Sequence, residues 1–248
     1  MHNRNRKKLF VLSDLHGHYT LAKEELDRAG FDPQNPNHLF VHCGDLFDRG
    51  KENRLVYEFV TSLPHKVLIR GNHDEHLVEI LQRGYVTERD YDNGLQPTLE
   101  EFFGKDNVSP DGKLNLLNHA DTVRDLCALV AGMSDYFETE NYVFTHGWLP
   151  LAPGATPLRL AENWREADRD AWHEARWLKW LEIFRSPARL PDKTIVCGHR
   201  PTRMAADVDP TRSPTDSTIY RSDGMIAIDA GSIRSGRVNL LVIEDHIL

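Results

Sequence analysis

Cysteine is scarce in this chain. The 248 residues hold three, Cys43, Cys127 and Cys197, an odd number without paired spacing, which excludes a disulfide framework and fits a reducing compartment. Long apolar runs are missing too: none approaches the ~18 residues a membrane span needs. The basic start, residues 1–8, leads into only a short apolar run, too little for a secretory signal core. A cytoplasmic protein without a membrane partner is expected. Nor is there an excess of positive charge. Lys and Arg number 30 against 38 Asp and Glu, a net −8, which argues against a nucleic-acid partner, since phosphate backbones select basic surfaces. No internal repeat or low-complexity tract interrupts the chain, and its length suits one large domain spanning 1–248.

Acidic and histidine motifs recur where apolar runs stop. Asp14-Leu15-His16-Gly17 follows residues 9–12, Gly44-Asp45-Leu46-Phe47-Asp48-Arg49-Gly50 follows 39–43, and Gly71-Asn72-His73-Asp74 follows 66–69. Each motif precedes a helix-like stretch, at 21–29, 54–62 and 75–82. Strands alternating with helical patterns indicate βαβ units and a largely parallel sheet, and in such sheets the carboxyl ends of the strands form the site. Carboxylate, imidazole and amide oxygen are ligands for borderline divalent metals. The three motifs therefore predict a two-metal hydrolytic site.

With Thr145-His146-Gly147 and Gly198-His199 added, the series resembles the calcineurin-like metallophosphoesterases. The intact Asp48-Arg49-Gly50 is most similar to the phosphoprotein phosphatase branch, which includes small bacterial and phage serine/threonine phosphatases. The resemblance runs from Phe10 to about Asp245. Ser13 departs from the usual Gly, and Asp74-Glu75 stands where the branch has Glu directly after the His. The resemblance implies an α/β fold, a four-layer sandwich of two mixed β-sheets flanked by helices. It also implies two divalent metal ions, manganese first, with iron, zinc, cobalt or nickel as alternatives. Asp45 would bridge the ions, Asp14 and His16 would complete the first, and Asn72, His146 and His199 the second. A water between them, its pKa lowered toward neutrality, would be the nucleophile. His73 would protonate the leaving group, oriented by Asp48. Arg49 and Arg70 would bind phosphate oxygens, since a planar guanidinium matches them bidentately, with Arg176 preferred to Arg165 as a third.

The implied activity is a two-metal phosphomonoesterase acting on phosphorylated proteins or small phosphate esters, as serine/threonine phosphatases do. The alternatives are a hydrolase like the symmetrical diadenosine tetraphosphatases and a non-catalytic scaffold of the same fold. Many phosphodiesterase relatives carry Gly-His-x-His at the last motif. Here it reads Gly198-His199-Arg200-Pro201, which removes one ligand of the first ion and favours monoesters.

Two segments break the alternation and are expected as helical insertions near the site, at about 83–136 and 150–190. In the second, His173, Trp177 and Trp180 fall at helical spacing on one face. Strand-like runs at 194–197, 225–229 and 238–243 predict a second sheet at the C-terminal end.

Overall fold

In the computed structural model, which describes residues 6–248, strand alternation sorts side chains into distinct layers. In β1 (Arg6–Leu12), Phe10 and Leu12 face an outer helical layer, while Leu9 and Val11 face the second sheet. Period-two alternation of a strand buried on both faces produces this sorting. The chain then runs α1 (Tyr19–Arg28), β2 (His38–Cys43), α2 (Asn53–Ser62), β3 (Lys66–Ile69) and α3 (Asn72–Arg83). Residues 1–5 of the basic start lie outside the described residues.

The break in alternation after 83 holds α4 (Glu88–Asp92), α5 (Gln96–Phe103) and α6 (Ala120–Ala131). Leu95, Leu99, Phe102, Phe103, Leu126 and Val130 join the core cluster that covers the outer face of the first sheet. Beyond them come β4 (Tyr136–Glu138), β5 (Tyr142–Thr145), α7 (Arg169–Trp177), α8 (Trp180–Ile183), β6 (Thr194–Cys197), β7 (Tyr220–Ser222), β8 (Met225–Ala227), α9 (Ser232–Ser235) and β9 (Leu241–His246).

The strands form a four-stranded sheet in the order β3-β2-β1-β9 and a five-stranded sheet in the order β4-β5-β6-β8-β7. Both are mixed: β1, β2 and β3 are parallel with β9 antiparallel, and β5, β6 and β8 are parallel with β4 and β7 antiparallel. Val41, Cys43, Phe144, Val196 and Ile226 pack between the sheets. Trp148, Trp164, Trp172 and Trp180 pack the outer face of the second. The result is the expected four-layer arrangement.

Two local readings are corrected. The last strand leaves the C-terminal sheet and pairs with β1, Phe10 opposite Val242, because its side chains complete the first sheet's edge. Trp180 does not share a helix face with His173 and Trp177: α7 ends at Trp177, and Leu178 is extended at ψ 134°. His42 in β2 is fully buried with neither ring nitrogen partnered; burial pushes its pKa down to about 3, so the ring is neutral. Among the described residues, no helix is long and apolar enough to cross a membrane.

Candidate metal centre and cavity

The motif residues meet where the carboxyl ends of β1, β2, β3, β5 and β6 come together. The turns that bring them there are tight. A Cβ on Gly71 would lie 2.1 Å from Asp45 Oδ1, so only glycine lets the third motif's backbone approach the second motif's carboxylate. Asp14, His16, Asp45, Asp48, Arg49 and His199 all have positive φ, between 44° and 75°. Left-handed backbone at non-glycine residues costs on the order of 1–3 kcal/mol each and clusters at functional sites.

Asp74 offsets part of that strain. Its buried carboxylate accepts the amides of Asp45 (2.8 Å), Leu46 (3.0 Å) and Gly71 (2.8 Å), tying the second motif to the third. The departure from the branch pattern at this position is thus a structural clamp.

Imidazole tautomers follow from backbone partners. His16 Nδ1 donates to the Phe47 carbonyl at 2.8 Å, and His146 Nδ1 to the Cys43 carbonyl at 2.8 Å. Both rings therefore turn Nε2 inward, the tautomer that an outer carbonyl selects in metal-binding histidines. Two groups of donors lie within 4.8 Å of one another: His16, Asp45 and His73, and Asp45, His146 and His199. Asp45 is common to both.

The donor chemistry fits cations. His146 Nε2 is 2.8 Å from Asn72 Oδ1 and 3.4 Å from Asp45 Oδ1, so with Nδ1 already donating, three lone-pair atoms converge. Burial works against a charged ring there, yet Asp45 and then Asp14 push the His146 pKa up to about 10; the proton stands in for a cation. In the other group Arg49 does so, donating to His16 Nε2 at 2.6 Å and to His73 Nε2 at 2.8 Å. Burial, Arg49 and His73 in turn hold the His16 pKa well below its usual range. These residues could hold metal ions.

Asp14 stands slightly apart. Its Oδ1 is 4.0 Å from His16 Nε2, while Oδ2 accepts the His199 amide at 3.0 Å and the Ser13 hydroxyl. Burial pushes its carboxyl up to about 6, with Asp45 adding to the rise and His146 opposing it.

His73 Nδ1 is 2.8 Å from Asp48 Oδ2, and Thr98 Oγ1 donates to Asp48 Oδ1 at 2.7 Å. Burial lowers the His73 pKa, but Asp45 and then Asp48 outweigh it and raise the value on balance. Thr98 comes from α5, and the turn before it supplies Gly94 O, which accepts the Arg49 amide at 2.7 Å. The first insertion thus braces the acid–histidine pair and the arginine.

The expected arginines separate. Arg49 lines a cavity of about 600 Å³ beside the donor groups. Arg176 does not, which corrects its assignment: its buried guanidinium is bound by Glu75 (2.8 Å) and Asp135 (2.7 Å), leaving it no face for a ligand. Arg70 does not line it either; it donates to Met133 O at 3.0 Å with Asp135 3.7 Å off, and its Nε is unpartnered. Arg165 pairs with Glu138. The cavity's cations are instead Lys179, Arg200, Arg203 and Arg234, with half-exposed Trp177 edge-on to His199 at 6.0 Å. Asp229 also lines it, its carboxyl raised well above the usual range by burial and Asp14. The signal for Asp229 was available: Ile228-Asp229-Ala230-Gly231 is another Asp at a strand end followed by glycine. Arg200, Arg203 and Arg234 had none, because the loop and the single short helical turns that carry them are too short to show a periodicity.

A two-sheet α/β sandwich with shared carboxylate and imidazole donors at its strand ends is the architecture of a metallophosphoesterase. The chain belongs to the calcineurin-like phosphoesterase family, whose profile matches residues 7–225. Curated relatives named bis(5'-nucleosyl)-tetraphosphatase, symmetrical, include one from Coxiella burnetii, 29% identical over 58% of this chain and 43% of its own length. The chain thus spans less than half of that relative. A relative of the same name from Xylella fastidiosa is 28% identical over 95% of this chain and 88% of its own.

Among solved structures, a protein serine/threonine phosphatase from Saccharomyces cerevisiae superposes with TM-score 0.56 at 14% identity, covering 100% of this chain and 82% of that one. A cold-active protein-tyrosine phosphatase from a Shewanella species gives 0.52 at 15%, covering 98% and 80%. At such identities these structures share the fold.

Proposed function

We propose that the chain is a metal-dependent phosphoric ester hydrolase, a phosphomonoesterase whose metal ligands are Asp14, His16, Asp45, Asn72, His146 and His199. The observation that carries this reading is the convergence of His146 Nε2, Asn72 Oδ1 and Asp45 Oδ1 beside a cavity that also receives Arg49 and His73. When bound, two divalent ions, manganese foremost, would neutralise phosphate charge and lower the pKa of water at the site.

The protein's own groups do the rest. Asp45 belongs to both donor groups and holds them in register through its Oδ1, which accepts the His73 amide at 2.9 Å. Arg49 supplies a guanidinium for phosphate oxygens. His73 donates its Nδ1–H to Asp48 and presents Nε2 to the cavity; with a bound phosphate taking over the Arg49 donor, Nε2 would carry a second proton and deliver that one to the departing alkoxide. The substrate implied by the branch is a phosphoserine or phosphothreonine side chain. A second reading, hydrolysis of a dinucleoside tetraphosphate, is supported by the names of the curated relatives.

The ester class is tested by comparing kcat/KM for p-nitrophenyl phosphate and bis-p-nitrophenyl phosphate at saturating manganese. The monoester should be hydrolysed far faster, because Pro201 stands where diesterase relatives carry the extra ligand and Arg49 favours a dianion. Equal values or a diester preference would overturn the monoesterase assignment.

A further inference from the structure

The cavity carries more positive charge than a single phosphoryl group requires. Arg49 and two divalent ions would already neutralise a phosphate dianion. Yet Arg200, Arg203 and Arg234 line the same cavity, and among the described residues no carboxylate pairs with any of them. The Nε of Arg200 is buried without a partner, and a buried guanidinium donor left unpaired costs free energy unless a ligand completes it. The cavity's own carboxylates do not compensate: Asp45 belongs to the donor groups, and Asp229 Oδ1 accepts the Gly231 amide at 2.6 Å. A volume of about 600 Å³ falls in the range of small-molecule sites.

We propose that Arg200, Arg203 and Arg234 form a second anion subsite that takes a further phosphate of the substrate, making small oligophosphates the preferred substrate class. The three residues determine specificity: they reach the phosphate next along the chain, while the donor groups and Arg49 hold the scissile one. This rests on the hydrolase reading for the scissile position, but the arginine subsite has a binding readout of its own.

The test is calorimetric binding of inorganic tripolyphosphate and of orthophosphate to the manganese-loaded protein at fixed free manganese, alongside kcat/KM for tripolyphosphate and p-nitrophenyl phosphate. Tripolyphosphate should bind at least about tenfold more tightly than orthophosphate, the gain of one added charge-assisted contact. In the triple variant Arg200→Ala, Arg203→Ala, Arg234→Ala that ratio should fall to near unity. The ratio of the two kcat/KM values should fall at least about tenfold with it. Arg221→Ala removes the same charge outside the cavity and should keep both ratios.

Equal binding of the two anions by the unsubstituted protein would overturn the proposal. So would an equal loss on both substrates in the triple variant, which would make the arginines ligands of the scissile phosphate. Absence of p-nitrophenyl phosphate hydrolysis with the binding ratio intact would instead sink the hydrolase reading and leave the subsite standing.

Discussion

The two halves of the site are built in opposite ways. In the N-terminal half, Asp14, His16, Asp45, Asp48 and Arg49 all lie in left-handed backbone, while in the C-terminal half only His199 does among the described non-glycine residues. The first half is held by hydrogen bonds to its own backbone, with Asp74 gathering three amides and Thr98 fastening Asp48. The second half contributes side chains across packed surfaces: His146 from the end of β5, and Trp177 and Lys179 from the segment that follows the Glu75–Arg176 pair. The shared donor, Asp45, belongs to the first half, and the second adds His146 and His199 to it. The cavity wall, where substrates differ, comes mostly from the less constrained one.

The sharpest way to break that difference is Asp74→Ala. Three buried amides would lose their acceptor at roughly 1–3 kcal/mol each, and the Asp45 turn would lose its anchor. Chemical denaturation should reveal the lost stability, and metal analysis should find less than two ions bound. His73→Asn tests the same half at the level of chemistry. It should lower kcat by about 10²–10⁴-fold with metal content retained, and the loss should be smaller for aryl than for alkyl phosphates, whose leaving groups need the proton more. An equal loss for both would argue for damage to the metal centre.

Arg176→Met probes the second half. Removing one partner of a buried ion pair costs about 3–5 kcal/mol, so unfolding should show the change, and the variant should lose stability rather than phosphate affinity. The smallest effect concerns pH. The Arg165 hydrogen bond, against burial that works the other way, and then Lys193 hold the Glu138 carboxyl at about 2 instead of 4.5. That stabilisation is present above pH 4.5 and is lost as pH falls toward 2. Glu138→Gln should therefore cost about 1–2 kcal/mol at pH 6, allowing for partial solvent screening, and less at pH 3. Thermal melts at the two pH values measure it.

Much of the N-terminal half was legible beforehand. The strand runs before each motif became β1, β2 and β3, and α1, α2 and α3 began within three residues of their expected starts, because motif, glycine and apolar run are contiguous there. The helices between 83 and 119 were obscured by their glycines and prolines, although Gly104 ends α5 and Pro97 begins it. The strand at 241–246 was legible as a strand but not as a partner of β1, since antiparallel addition to a sheet edge leaves no mark in local pattern. Arg176 was expected because the resemblance implies a third phosphate arginine, and no local pattern marked which one. Its partners, Glu75 and Asp135, are far apart in the chain and meet it only through packing.

By itself, the sequence determined which side chains stand at strand ends. Period-two alternation and glycine spacing fix that within a few residues, and the identities Asp, His and Asn suit cation binding and proton transfer. Only the tertiary structure decided which charges remain free. A guanidinium is a potential phosphate ligand until a carboxylate reaches it, and whether one does depends on how α3 and α7 pack and on how the loops after β6 and β8 close over the two sheets. That packing buried Arg176 in an ion pair and left Arg200, Arg203 and Arg234 facing the cavity.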